Sequence, residues 1–260
     1  MDNTEEYTYN SAGLKTKTVI YKGTTTNKVY EIKYTYNSAN KLSTETKTRC
    51  ATSVVTDKTS YTYDSAGRMT RKHYQTGYDK AEPKLSGMTY TWTLGTEEDI
   101  RYSYNDAGKI TRELTYGGYT KAVSKKVGTT TYNYGERATR KSKQVDYTYD
   151  TSGRITSKKT DVGYSKPTPK SSGMEYTWTM RSDEDITYSY NSSGKISKEV
   201  TNRAYTETVT KTVGGKKYTY GEWHMHKAQE IVYAYNGIGD ITSKTTTVGY
   251  YNSSGTITMS

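Results

Sequence analysis

Three histidines, His73, His224 and His226, are the first residues to weigh for chemistry. The run Trp223-His224-Met225-His226 sets two imidazoles on one side of a strand, a spacing that could hold a metal as a pair. One repeat earlier the same run reads Arg137-Ala138-Thr139-Arg140, without histidine. A metal site required by the fold would recur, so none is expected. The acidic triplets Glu97-Glu98-Asp99 and Asp183-Glu184-Asp185 do recur, and clustered carboxylates suit calcium. No Asp-x-Asp-x-Asp-Gly loop accompanies them. Charges at a strand entry also block edge pairing and keep a sheet soluble. A hairpin bend is expected at each triplet. The chain has no Ser-His-Asp arrangement and no Gly-rich loop opening a helix. No catalytic residue, no cofactor and no enzymatic activity are expected.

The aromatic residues suggest binding instead. The 260 residues include 30 Tyr, 3 Trp and no Phe. A Tyr ring is apolar, but its hydroxyl wants a partner or water. Consistent use of Tyr over Phe therefore argues against a thick, dry core. Tyr102, Tyr104, Tyr188 and Tyr190, with Trp92 and Trp178 nearby, offer platforms on which sugar rings could stack. The bland alternative is that these rings pack on one another across strands. The net charge of +11 with interleaved aromatics also suits single-stranded nucleic acid. However, Lys outnumbers Arg almost three to one, acids are mixed throughout and there is no basic block. Nucleic acid is not expected; a surface polysaccharide or another surface protein fits better. The single Cys50 excludes a disulfide framework. No apolar run approaches the ~18–20 residues that span a bilayer.

These side chains are positioned by a repeated phrase. Tyr-x-Tyr-Asn/Asp-x-x-Gly has its second Tyr at 9, 36, 63, 104, 149, 190 and 235, in steps of 27, 27, 41, 45, 41 and 45. A degenerate copy follows at Tyr251. The alternation makes a higher repeat of 86: residues 61–146 and 147–232 align without a gap and are identical at about half their positions. The reading is one continuous array over 1–260, with shorter units at 1–60 and 233–260. Each phrase alternates with period two, the strand signature. Asn or Asp opens the turn, and Gly67, Gly108, Gly153 and Gly194 supply its positive φ. Asn40 replaces that Gly in the second phrase, the one common substitute tolerating a left-handed backbone. The register sets Tyr63 opposite Met69, Tyr104 opposite Ile110, Tyr149 opposite Ile155 and Tyr190 opposite Ile196. In the first phrase Leu14 comes one place early, as a frayed terminal unit would allow. The expected fold is all-β: an elongated antiparallel β-sheet ribbon of tandem hairpin repeats, which could coil.

The phrases "YTYDSAGRMT" and "YTYDTSGRIT" resemble the core motif of the YD-repeat, or rearrangement-hotspot, family. The resemblance runs through the whole chain. It implies a long antiparallel ribbon coiled into a spiral or shell, secreted or borne on the cell surface. The steps of 27, 41 and 45 exceed that family's usual spacing of about twenty. Two functions follow from it. The first is a non-catalytic structural or adhesive segment of a longer exported bacterial protein, holding glycan on its Tyr/Trp faces. The alternative is a fragment of the encapsulating β-shell of a polymorphic toxin.

Overall fold

The computed structural model describes residues 3–23, 26–251 and 257–259. Every regular element among them is a β-strand. Five are short: β1 (Asn3–Tyr9), β2 (Lys15–Lys22), β3 (Lys28–Tyr36), β4 (Leu42–Arg49) and β5 (Val54–Tyr63). Four long strands follow, β6 (Met69–Lys84), β7 (Gly87–Tyr104), β8 (Ile110–Val127) and β9 (Thr130–Tyr149). Four more repeat their lengths of 16, 18, 18 and 20 residues: β10 (Ile155–Lys170), β11 (Gly173–Tyr190), β12 (Ile196–Val213) and β13 (Lys216–Tyr235). β14 (Ile241–Tyr251) and β15 (Ile257–Met259) close the series. Strand order is sequence order in an open antiparallel sheet. The steps of 41 and 45 exceed 27 because each step holds two strands, and those strands have lengthened. The degenerate last phrase lies largely outside the described residues.

The chain divides into two compact units. One is Met1–Tyr102 with Thr115–Arg140; the other is Ser103–Leu114 with Lys141–Ser260. Few side chains are buried in either. Val19 and Tyr21 are buried in the first, Val145 and Ile231 in the second. A chain with this little aliphatic surface gains its stability from cross-strand pairs and hydrogen bonds more than from an apolar core.

All seven phrase turns share one geometry. In the fifth, Asp150 N donates to Arg154 O and Gly153 N donates to Asp150 O, both at 2.9 Å. Asp150 Oδ1 also accepts from Arg154 N at 2.9 Å. This is why Asn or Asp must open the phrase. Gly67, Gly108, Gly153 and Gly194 have φ of +75, +76, +73 and +78°, and Asn40 has +58°. The register places Tyr63 opposite Met69, Tyr149 opposite Ile155 and Tyr190 opposite Ile196. The first phrase is not frayed: Asn10 N donates to Leu14 O and Gly13 N to Asn10 O, as elsewhere. Backbone and Asn side chain close that turn, so the displaced Leu14 side chain is immaterial. A β-branched residue is strained at positive φ. The double substitution Gly108→Val, Gly153→Val should cost about 2 kcal/mol or more, visible as a lowered melting temperature.

The acidic triplets do not sit at bends. Both lie inside continuous strands, β7 and β11, and each marks a β-bulge. Tyr74 faces Glu98 and Gln75 faces Thr96, which leaves Glu97 extra. Thr160 faces Glu184 and Asp161 faces Ser182, which leaves Asp183 extra. A bulge interrupts alternation and bends the strand locally; in the sequence that looks like a chain reversal.

In the second unit the bulges also mark where the sheet divides. Strands β11 and β12 pair only through 184–190 with 196–203. Beyond that, hairpins β10–β11 and β12–β13 each continue alone, to their turns at 171–172 and 214–215. Gly214 and Gly215 both have positive φ, as a two-residue hairpin turn of this kind requires.

Candidate functional site

Two arrangements use the side chains singled out by type. The first is a clamp at the phrase turns. The second Tyr of a phrase donates its hydroxyl to a backbone carbonyl two residues beyond the turn Gly, or Asn40, of the preceding phrase. Tyr36 reaches Lys15 O, Tyr63 reaches Leu42 O and Tyr149 reaches Ile110 O, at 2.7, 2.8 and 2.7 Å. Tyr190 reaches Ile155 O and Tyr235 reaches Ile196 O, at 2.6 and 2.7 Å. The first Tyr of a phrase likewise meets a side chain of the preceding phrase: Tyr34 with Thr18, Tyr61 with Glu45 and Tyr147 with Glu113. A Phe could make none of these bonds.

Basic residues complete the clamp. Lys41, Lys109 and Lys195 lie over the rings of Tyr63, Tyr149 and Tyr235, 5.4–5.5 Å from their centroids. A cation in this position is attracted by the ring face. The same ammonium groups donate to Gly67 O, Gly153 O and Gly239 O of the next turn. Where Asp opens the turn, the residue after the turn Gly is Arg, and it pairs within its own turn: Arg68 with Asp64 and Arg154 with Asp150. The backbone N–H of Arg68 and of Arg154, each followed by the side chain, holds its Asp below the usual carboxylate range. Both Asp turns thus carry Arg, and three of the five Asn turns carry Lys; Leu14 and Asp240 take that place in the first and last of the seven.

The second arrangement lies between the separated hairpins of the second unit. An open cleft of about 560 Å³ is lined by Tyr164, Pro167 and Pro169 of β10 and by Lys211, Tyr220 and Trp223 of β12 and β13. Tyr218 Oη bridges the two hairpins through Lys170 O at 2.8 Å. Tyr164 and Trp223 stack at 6.4 Å, and the Arg181 guanidinium covers both rings. Eighty-six residues earlier, Arg137 stands where Trp223 does, and Gly95 where Arg181 does. There Arg137 lies 5.9 Å over Tyr78 and pairs with Glu97. Each copy therefore keeps a guanidinium on the tyrosine while supplying it from a different strand. Its one lining carboxylate, Glu222, is bonded to Lys211 and to Tyr220, while Lys166 also lines the cleft. It is an aromatic recess that could hold a flat or ring-shaped ligand. Composition alone did not single it out; the replacement of Arg137 by Trp223 between aligned copies was the available signal.

The residues singled out earlier are placed as follows. Trp92 and Trp178 lie over Gly77 and Gly163, filling the space a Cβ would take. Their indole N–H groups donate to Val55 O and Lys141 O, at 2.9 and 3.0 Å. Trp178 and Tyr190 sit twelve residues apart on one strand, up to roughly 40 Å, with the Asp183 bulge between them. The structure does not bring Trp178 together with Tyr188 and Tyr190 as one platform, because strand length and the bulge separate them. Tyr190 is bound in the clamp. Burial, followed by Glu199, raises the Tyr188 phenol above its ordinary range. Tyr102 and Tyr104 are half-buried near the end of β7. His224 and His226 flank Tyr205, at 5.5 and 5.3 Å, and His224 lies 3.4 Å from Glu207. Among the described residues no three His, Cys, Asp or Glu side chains gather as a metal site. No described helix is long and apolar enough to cross a membrane.

No family model and no curated protein matches the chain. Among solved structures, the TcdB2-TccC3-Cdc42 structure aligns at 12% identity over 98% of this chain and 17% of that one, with a TM-score of 0.32. The TcdB2-TccC3-TEV structure aligns at 12% identity over 95% and 14%, with a TM-score of 0.19. A porin-like protein from Bacteroides uniformis aligns at 14% identity over 86% and 91%, with a TM-score of 0.18. The chain spans less than a fifth of the length of the first two. These superpositions are too loose to transfer anything from those proteins to this one.

Proposed function

We propose that this chain is a non-catalytic wall segment of an exported protein, a YD-repeat-like sheet of the kind that encloses other polypeptide. The supporting observation is the clamp: at five phrases a tyrosine hydroxyl is bonded to the backbone of the preceding hairpin. This recurrent polar chemistry holds one hairpin to the next. Expressed together with the coding sequence that adjoins it in its gene, the array should slow protease digestion of that adjoining polypeptide. Digestion at the rate of the isolated polypeptide would overturn the enclosing reading.

The aromatic cleft favours a second reading, an adhesive surface segment that holds glycan. Stacking of a sugar ring there should change tryptophan fluorescence on titration with oligosaccharides. That change should disappear in Trp223→Leu and persist in Trp92→Leu. A flat titration across neutral, acidic and basic sugars would remove this reading.

A further inference from the structure

The two hairpin arms that flank the aromatic cleft, 162–182 and 204–225, hold six Lys and Arg against three acids. Each of those acids is engaged: Glu175 with Lys170, Glu222 with Lys211, and Glu207 with His224. Two cations at the cleft are left unmatched. Lys166 lines it on an exposed stretch of β10, and no described carboxylate bonds to it. Arg181 lies over Tyr164 and Trp223 and makes no ion pair among the described residues. Eighty-six residues earlier the guanidinium on the tyrosine, Arg137, is paired with Glu97. The residue aligned with Glu97 is Asp183, one methylene shorter. Burial lowers the Arg181 pKa, and Asp183 and Tyr164 only oppose that effect, as expected of a cation short of a counter-charge. Arg181 Nε and Trp223 Nε1 are both buried without a hydrogen-bond partner. Such a donor has lost water and gained no bond. Arg137 Nε is equally unbonded, but Arg137 Nη2 holds Glu97.

We propose that this cleft takes an acidic oligosaccharide, whose rings each bear a carboxylate of the uronic-acid kind; the proposal rests on the glycan reading of the same cleft. Tyr164, Tyr220 and Trp223 line it and offer apolar faces to sugar rings. Lys166 and Arg181 supply the charge that selects the acid. An acidic oligomer carries a carboxylate on every ring, so the two cations engage different rings. A carboxylate brought from outside then does at Arg181 what Glu97 does at Arg137 in the first copy. Hydrogen bonds between charged partners are roughly twice as strong as neutral ones, so the acidic ligand is preferred over a neutral one of the same shape. The first copy has its counter-charge built in and has no such preference.

Calorimetric titration of the full chain with oligogalacturonate should give a Kd about tenfold below that for a neutral galactose oligomer of equal length. Raising salt from about 50 to about 500 mM should remove most of that preference. Lys166→Gln, at an exposed side chain, should weaken binding of the acidic oligomer about threefold and leave the neutral one unchanged. Arg181→Gln should weaken the acidic oligomer further, with circular dichroism unchanged. Equal affinity for the two oligomers would overturn the proposal and leave the glycan reading standing. Binding of neither, nor of a basic oligomer, would remove both. A preference that survives in Lys166→Gln and in Arg181→Gln would overturn it by placing the anion site elsewhere. So would hexaglutamate binding as tightly as oligogalacturonate, since carboxylates without sugar rings would then suffice.

Discussion

Asp99→Asn should destabilise the chain by about 2–3 kcal/mol, whereas Asp185→Asn, at the equivalent position 86 residues later, should be neutral or stabilising. Asp99 is 4% exposed and accepts from Arg71 Nε and Nη2, at 2.6 and 3.0 Å, and from Arg101 Nε and Nη2, at 3.1 and 2.9 Å. Removing one member of such a group leaves charge and donors unpaired, a loss of about 3–5 kcal/mol when all members are buried. Here both arginines are about half exposed, so the expected loss is smaller. At the second position, Ser157 and Thr187 replace the two arginines. Asp185 Oδ1 has no hydrogen-bond partner.

The two carboxyls shift in opposite directions. Burial alone would raise Asp99, but Arg71 and Arg101 outweigh it and hold the group below its ordinary value. Its contribution is therefore complete above the unfolded carboxylate pKa and is lost as pH falls through the folded one. Burial raises Asp185; Lys159 opposes this and Asp161 adds to it. Its penalty is complete above the raised folded pKa and disappears as pH falls below the unfolded value. Urea unfolding of both variants at neutral pH and near pH 3 tests this directly. The gain from Asp185→Asn should vanish in acid. An equal loss in both variants at neutral pH would refute the contrast.

The triple variant Tyr149→Phe, Tyr190→Phe, Tyr235→Phe should lose about 3 kcal/mol, near 1 kcal/mol per hydroxyl removed. Each ring would keep its packing and, at Tyr149, Tyr190 and Tyr235, its overlying Lys or Arg. Each carbonyl would lose its donor. The same change at Tyr90, which is 66% exposed, should stay within a few tenths of a kcal/mol. Comparable loss from a single Tyr90→Phe would show that general solvation of Tyr, and not the clamp, explains the absence of Phe.

Much of this molecule can be read from its sequence alone. Period-two alternation specifies strands because successive side chains leave a pleated backbone on opposite faces. Asn or Asp followed by Gly specifies the turn and its register through bonds confined to five residues, as Asp150 to Arg154 shows. Tandem copies at a fixed spacing specify an antiparallel array. The partners of the tyrosine hydroxyls lie 21–39 residues away, and no local pattern shows which carbonyl a ring will reach. The bulges at Glu97 and Asp183 could not be told from bends, because both interrupt alternation in the same way. Trp178 was expected near Tyr188 and Tyr190, with a bend between them; both ends lie instead on the single strand β11, with the Asp183 bulge where the bend was expected. The cleft at Trp223 exists only because two hairpins stop pairing beyond residue 184. Where side chains touch their own turn, sequence determined the structure. Where they reach another hairpin, the tertiary fold decided, because the energy lies in contacts between strands far apart in the chain.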